Sequence, residues 1–354
     1  MRLRDSLAKI KAVVLLTTLT VVAVLAGACE TKETTAGFKP EIQPLPAGLS
    51  GYEEMAIPAD NPMSPEKVAL GRQLFFDKRL SGDESRSCYS CHVCEHGLTD
   101  GLPKAIGAFE KPLPRHSPTL WNIGYHKEFY WDGRSPSLEK QAMAAWTGGN
   151  MGAKDKEAEI VGRINALEGY RQQFQKVFGG DATAENIMMA LSAYERTIIG
   201  GNTAYDRFRA GDQSAMSEAA KRGFEVFKQA KCDNCHAGIL FTDQQFHNVG
   251  IGMDLPTPDV GRFNVTKKPE DTGAFKTPTL RDVARSAPYF HDGSAATLED
   301  AVDIMLAGGK PNQYLDKKNI EKRTVTPEQR ADLLEFLKAL NVDCQLKEPP
   351  LPQK

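Results

Sequence analysis

The sequence predicts an all-α protein built from two related halves. Three observations lead there: apolar residues recur at helical spacing in seven segments, strand signals are few, and several blocks of the first half return in the second at a constant distance.

The elements follow in chain order. Arg2, Arg4, Lys9 and Lys11 precede an apolar run from Ala12 to Ala28 that ends in small residues. Charge, length and cleavage chemistry make residues 1–28 a secretory signal. A membrane-spanning anchor is the weaker reading, because the run only matches the shortest spanning helices. Leu25-Ala26-Gly27-Ala28-Cys29 resembles a bacterial lipobox, in which Cys29 becomes the lipidated N-terminus; plain secretion is the alternative. Residues 29–50 are rich in Thr, Pro, Glu and Lys without an apolar period, as a disordered tether is. The rest divides into a half at 51–210, a half at 211–343 and a tail at 344–354.

Helical patterns cover 64–78, 137–146, 156–176 and 183–199 in the first half, then 217–229, 297–307 and 326–340 in the second. Ser64-Pro65-Glu66 and Ser217-Glu218 are good helix starts, with a capping serine before acidic first-turn residues. The last pattern begins Thr326-Pro327-Glu328 and places Leu333, Leu334, Leu337 and Leu340 on one face, which is ordinary core-facing amphipathicity. Net charge is −2, with no basic stripe, and nothing suggests a nucleic-acid partner.

Seven cysteines are more informative. Cys88-Tyr89-Ser90-Cys91-His92 and Cys232-Asp233-Asn234-Cys235-His236 both read C-x-x-C-H, the attachment signature of c-type haem. The spacing lets two thiols bond the two porphyrin vinyl groups while the next residue, His92 or His236, coordinates the iron. A redox C-x-x-C or half a zinc site would explain one motif. Two motifs, each with its histidine, behind an export signal, point to two covalently bound haems in two cytochrome-c-like halves, outside the cytoplasm.

The duplication is visible around the motifs. Leu70-Gly71-Arg72-Gln73-Leu74-Phe75 precedes the first, and Arg222-Gly223-Phe224-Glu225-Val226-Phe227 the second. Downstream, Ser117-Pro118-Thr119-Leu120 matches Thr277-Pro278-Thr279-Leu280. Trp131-Asp132-Gly133-Arg134 matches His291-Asp292-Gly293-Ser294, and Ser137-Leu138-Glu139 matches Thr297-Leu298-Glu299. All three pairs lie 160 positions apart. The same offset places Met305 opposite Ala145. A thioether can bind iron and an alanine cannot, so the second haem would be closed and the first open if Met305 is a ligand. A core methionine is the other reading, and the repeat does not choose between them.

Over residues 60–340 the chain resembles the bacterial di-haem cytochrome c peroxidases and their MauG-like relatives. Leu70–Phe75, Gly97-Leu98-Thr99-Asp100-Gly101, Trp131–Arg134, Asp271–Arg281 and Ala287–Gly293 carry the likeness. The resemblance implies that Met305, in Ala301-Val302-Asp303-Ile304-Met305, is the distal ligand of the electron-transferring haem, where MauG-like proteins typically have tyrosine. It makes Trp131 an electron relay between the haems, and places Gln141 and Ala145 in the distal pocket. It implies a periplasmic oxidoreductase reducing hydrogen peroxide with electrons from a small donor, a monohaem cytochrome c or copper protein, and often a homodimer.

Three departures qualify the likeness. The peroxidase branch caps its first haem with a histidine where Ala108 stands here, so this haem should be open without reductive activation. No carboxylate occurs in Ala144–Met151, where the family has a proton-shuttling glutamate. Such a group is typically worth 10²–10⁴-fold in rate. His116 replaces the asparagine that helps hold an inter-haem calcium; any calcium would rest on backbone carbonyls near Ser286 and Pro288.

Two functions follow from these features. One is peroxide reduction, or MauG-like oxidation of another substrate by the same haem pair. The other is a non-catalytic di-haem electron carrier, which the missing glutamate favours. Cys94 and Cys344 remain: an even pair left over in an exported protein usually cross-links, which predicts a disulfide pinning the tail across the first half, with two unrelated thiols as the alternative.

Overall fold

Helix caps written into the sequence start most of the helices in the computed structural model, which describes residues 55–353. The signal at 1–28, Cys29 and the tether at 29–50 lie outside the described residues. In the first half, α1 (Pro65–Phe76) begins on the Ser64 side chain, which accepts from the Lys67 N–H. α2 (Leu138–Thr147) begins on Ser137, and α5 (Ala184–Glu195) on a reciprocal Thr183–Asn186 box. The pattern over 156–176 is two helices rather than one, α3 (Glu157–Asn165) and α4 (Glu168–Phe178). Leu167 between them takes extended backbone and turns into the core, 2 % exposed, which a continuous helix would not allow. α5 stops at Glu195, short of the expected 199. Thr197 and Ile198 donate to Tyr194 and Glu195, three residues back, and tighten the chain out of the helix.

The second half contains α6 (Ala204–Arg209), α7 (Glu218–Gln229), α8 (Phe263–Thr266), α9 (Leu298–Leu306) and α10 (Pro327–Lys338). The sequence patterns did not reveal the short α6 and α8. One antiparallel ribbon, β1 (Phe246–His247) with β2 (Phe275–Lys276), pairs Phe246 with Lys276. The architecture is mostly helical.

Each half has its own apolar core and the same helix crossing, α1 on α5 and α7 on α10. The repeated glycines make the crossings possible: a Cβ on Gly71 would overlap the Ala190 carbonyl, and one on Gly223 the Asp332 carbonyl. The 160-residue offset persists in the backbone. Bridges Phe129–Ser135 and Tyr289–Ala295 correspond, as do left-handed Tyr130 and Phe290, with φ 68° and 69°. Tyr205 and Phe208 pack on the second core, ahead of the division at 210/211.

Buried polar contacts join the halves. Trp121 Nε1 donates to Asp282 at 3.0 Å, and Arg115 pairs with both Asp132 and Asp259. The tail returns across the first half, where Val342 and Leu346 enter its core and Arg72 donates to the Lys347 carbonyl. Cys94 and Cys344 are disulfide-bonded there, with Cα atoms 5.6 Å apart. Among the described residues no helix is long and apolar enough to cross a membrane.

Candidate haem sites

The first motif starts as a single helical turn, Cys88–Ser90, and presents Cys88, Cys91 and His92 to one cavity of about 730 Å³. His92 Nδ1 stands 3.0 Å from the Leu98 carbonyl, an acceptor, so the proton sits on Nδ1 and Nε2 is left for a metal. Left-handed Leu98 (φ 61°) turns the chain back to make that bond. In the second motif, turn Cys232–Asn234 leads to His236, whose Nδ1 lies 3.1 Å from the Phe241 carbonyl. Burial lowers the pKa of both histidines, favouring the neutral form that ligates. All four motif cysteines are outside disulfides. Burial raises the Cys88 thiol strongly and pushes Cys91 and Cys232 up to about 11.

These residues fit a covalently attached haem in the first half. The cavity lies in the size range of cofactor sites, its walls include Leu80, Ala142, Trp146 and Leu191, and thiols and imidazole converge on it. The second motif repeats the thiol and imidazole arrangement. Beside it, Cys235 Sγ is 3.7 Å from His247 Nε2. His247 also bonds Asp243 and Asp316; burial opposes its charge, but these partners push its pKa up to about 10.

Gln141 and Ala145 lie on α2 and line the first cavity. Tyr130 secures that helix by donating from its hydroxyl to the Gln141 carbonyl at 3.1 Å. Met305 occupies the matching place in the last turn of α9 and is half-buried. Trp131 lines the cavity and is held from both halves. Its Nε1 donates to the His116 carbonyl at 2.9 Å, and its own carbonyl accepts from the Lys276 N–H at 2.8 Å.

His116 takes a place the calcium expectation needed. Its Nδ1 is 2.7 Å from the Leu102 carbonyl. Ser286 and Pro288 themselves line the first cavity.

Two cavity residues, Glu195 and Lys276, escaped the sequence reading. Glu195 is 6 % exposed with Oε2 unpartnered. Burial, reinforced by Glu139 and opposed by Arg196, pushes its pKa up to about 8. Its signal was available: Ile187, Leu191 and Glu195 recur every four residues, which puts a carboxyl on the apolar face of α5. His126 is buried with Nε2 unpartnered and Nδ1 3.1 Å from Lys276 Nζ. Burial and that neighbouring cation hold its pKa well below the usual histidine range, and burial brings Lys276 down to about 8.

Comparison with known proteins places this arrangement. Residues 65–214 match the family described as di-haem cytochrome c peroxidase. Methylamine utilization protein MauG of Methylorubrum extorquens is 37% identical over 327 residues, covering 90% of this chain and 91% of the relative. Cytochrome-c peroxidase IdrP1 of Denitromonas iodatirespirans is 35% identical, covering 93% and 94%. The crystal structure of a MauG-like protein associated with microbial copper homeostasis superposes with TM-score 0.76 at 34% identity, covering 88% of this chain and 96% of that one.

Proposed function

The chain belongs to the di-haem cytochrome c peroxidase and MauG family, and from that premise we propose that it reduces hydrogen peroxide at its first-half site with electrons from a small donor protein, a monohaem cytochrome c or a copper protein. Oxidation of another substrate, as a MauG-like protein, would use the same site. The family carries two c-type haems; we assign their attachment to Cys88 and Cys91 and to Cys232 and Cys235, and their iron ligation to His92, His236 and Met305. Bound there, haem supplies redox-active iron, and the polypeptide decides which iron is open and what reaches it.

The observation that carries the reading is the inequality of the halves. Ala145 on α2 and Met305 on α9 stand 160 positions apart at matching places, and the alanine faces the cavity that holds His92. A small side chain leaves room for peroxide where a thioether would fill it. Trp131, bonded to both halves, is the positioned relay between them. The export signal and Cys29 support a periplasmic, lipid-anchored enzyme.

The test uses purified, fully oxidised holoprotein. One high-spin haem by electron paramagnetic resonance, and a spectral change on adding stoichiometric peroxide without prior reduction, are the expected results. Two low-spin haems unresponsive to peroxide would reject the proposal in favour of the electron carrier.

A further inference from the structure

We propose that Glu195 holds and exchanges the protons of ligands entering the first-half cavity, the task left without a carboxylate in residues 144–151. The inference rests on reading that cavity as the open haem site. Glu195 closes α5 and lines the cavity together with His92, Gln141 and Ala145.

Its surroundings argue against a purely structural role. Other carboxylates of the first half are paired: Glu139 bonds Arg196 and Asn61, and buried Asp77 bonds Arg79 and Tyr170. Arg196, next in sequence to Glu195, directs its guanidinium to Glu139 and the Ala56 carbonyl instead. Among the described residues Glu195 Oε2 has no hydrogen-bond partner, although leaving a buried oxygen unsatisfied is costly. A group that must bind and release a proton gains from staying unpaired.

The groups that bear on its charge are Arg196 and Tyr194 on its own helix, Glu139 on α2, and Cys88 in the attachment turn. Burial, with a smaller push from Glu139 and against the pull of Arg196, brings the carboxyl into the range where it exchanges protons at near-neutral pH, as an acid–base group should.

Hydrogen peroxide enters neutral and must lose a proton to bind as an anion. The Glu195 carboxylate takes that proton and returns it to the outer oxygen as the O–O bond breaks, so that this oxygen leaves as water. Two electrons from the donor protein and two solvent protons convert the remaining oxygen to the second water.

Cyanide tests the residue without turnover, because hydrogen cyanide must also shed a proton to bind. Cyanide-binding rates of the oxidised holoprotein are measured from mildly acid to mildly alkaline pH for wild type, Glu195→Gln and Glu195→Asp, each checked for haem content. Wild-type binding is expected to accelerate through an inflection. Glu195→Gln should lose the inflection and slow by about 10²-fold, and Glu195→Asp should keep a displaced one. Wild-type rates and pH profile in Glu195→Gln would overturn the proposal. If Glu195→Gln does not fold, an unmoved inflection in Glu195→Asp would overturn it equally. If cyanide binds none of them, the open-site reading fails by itself. Glu195 is then judged by the pH dependence of the first haem's midpoint potential, which should be present in wild type and absent in Glu195→Gln; equal dependence in both would overturn the proposal.

Discussion

Trp131 hangs from His116: its indole N–H donates to the His116 carbonyl at 2.9 Å. The His116 N–H in turn donates to the His291 carbonyl of the second half at 2.8 Å. The indole ring is therefore oriented by the seam between the halves. Trp131→Phe removes the bond, at a stability cost of about 1 kcal/mol. We expect unchanged haem content and slower electron equilibration between the haems, followed by rapid-mixing spectroscopy after partial reduction. Wild-type equilibration would remove Trp131 from the path.

Met305→Ala should abolish the methionine–iron charge-transfer band and lower the potential of the second haem. Absorption spectra and redox titration decide it. An unchanged spectrum would assign the ligand elsewhere, with Met253 the next candidate; its Sδ approaches Gly273 in the same half.

Met151 lines the first cavity, 7 % exposed, and its N–H is fixed on the Ala145 carbonyl. Met151→Glu would restore a carboxyl to that loop. Because Glu195 is proposed to carry the proton, Met151→Glu alone should leave peroxide turnover close to wild type, whereas in a Glu195→Gln background it should raise turnover toward the 10²–10⁴-fold contribution of a positioned proton donor. Steady-state assays with a reduced donor cytochrome measure it, and equal rates with and without Met151→Glu in that background would show that the loop does not deliver the proton.

The Cys94–Cys344 bond closes a loop of 250 residues. The chain-entropy model assigns such a loop up to roughly 5 kcal/mol, an upper figure because attached haem already restrains the unfolded chain. Cys344→Ser should lower the denaturation midpoint and release the tail to limited proteolysis. A midpoint equal to wild type would mean that Val342 and Leu346 hold the tail by packing alone.

Asp282, which accepts from Trp121, has its pKa raised from 3.8 to about 6, chiefly by burial. The folded state holds this proton more tightly than the unfolded state. Its contribution thus favours folding below 3.8 and is lost as pH rises through about 6. Denaturant titrations across that window should show Asp282→Asn with a flatter pH dependence than wild type; equal slopes would assign the dependence to other groups.

Both haem motifs, the capped helix starts and the Met305–Ala145 inequality were legible along the chain, because each is confined to a short stretch or to a constant offset. Local chemistry writes these, since caps, thiol spacing and repeat distance need only neighbouring residues. Only the tertiary structure decided what depends on distant chain segments. The break at Leu167 follows from a core that claims that side chain. His126 meets Lys276 across 150 residues of sequence. Cys94 and Cys344 stood out as a leftover pair expected to bond, and the returning tail is what brings them within reach. Glu195 lay in plain view on an apolar helix face, but only the assembled core shows its Oε2 buried with no partner among the described residues. Desolvation is a property of the assembled cavity, and no spacing of residues along the chain encodes it.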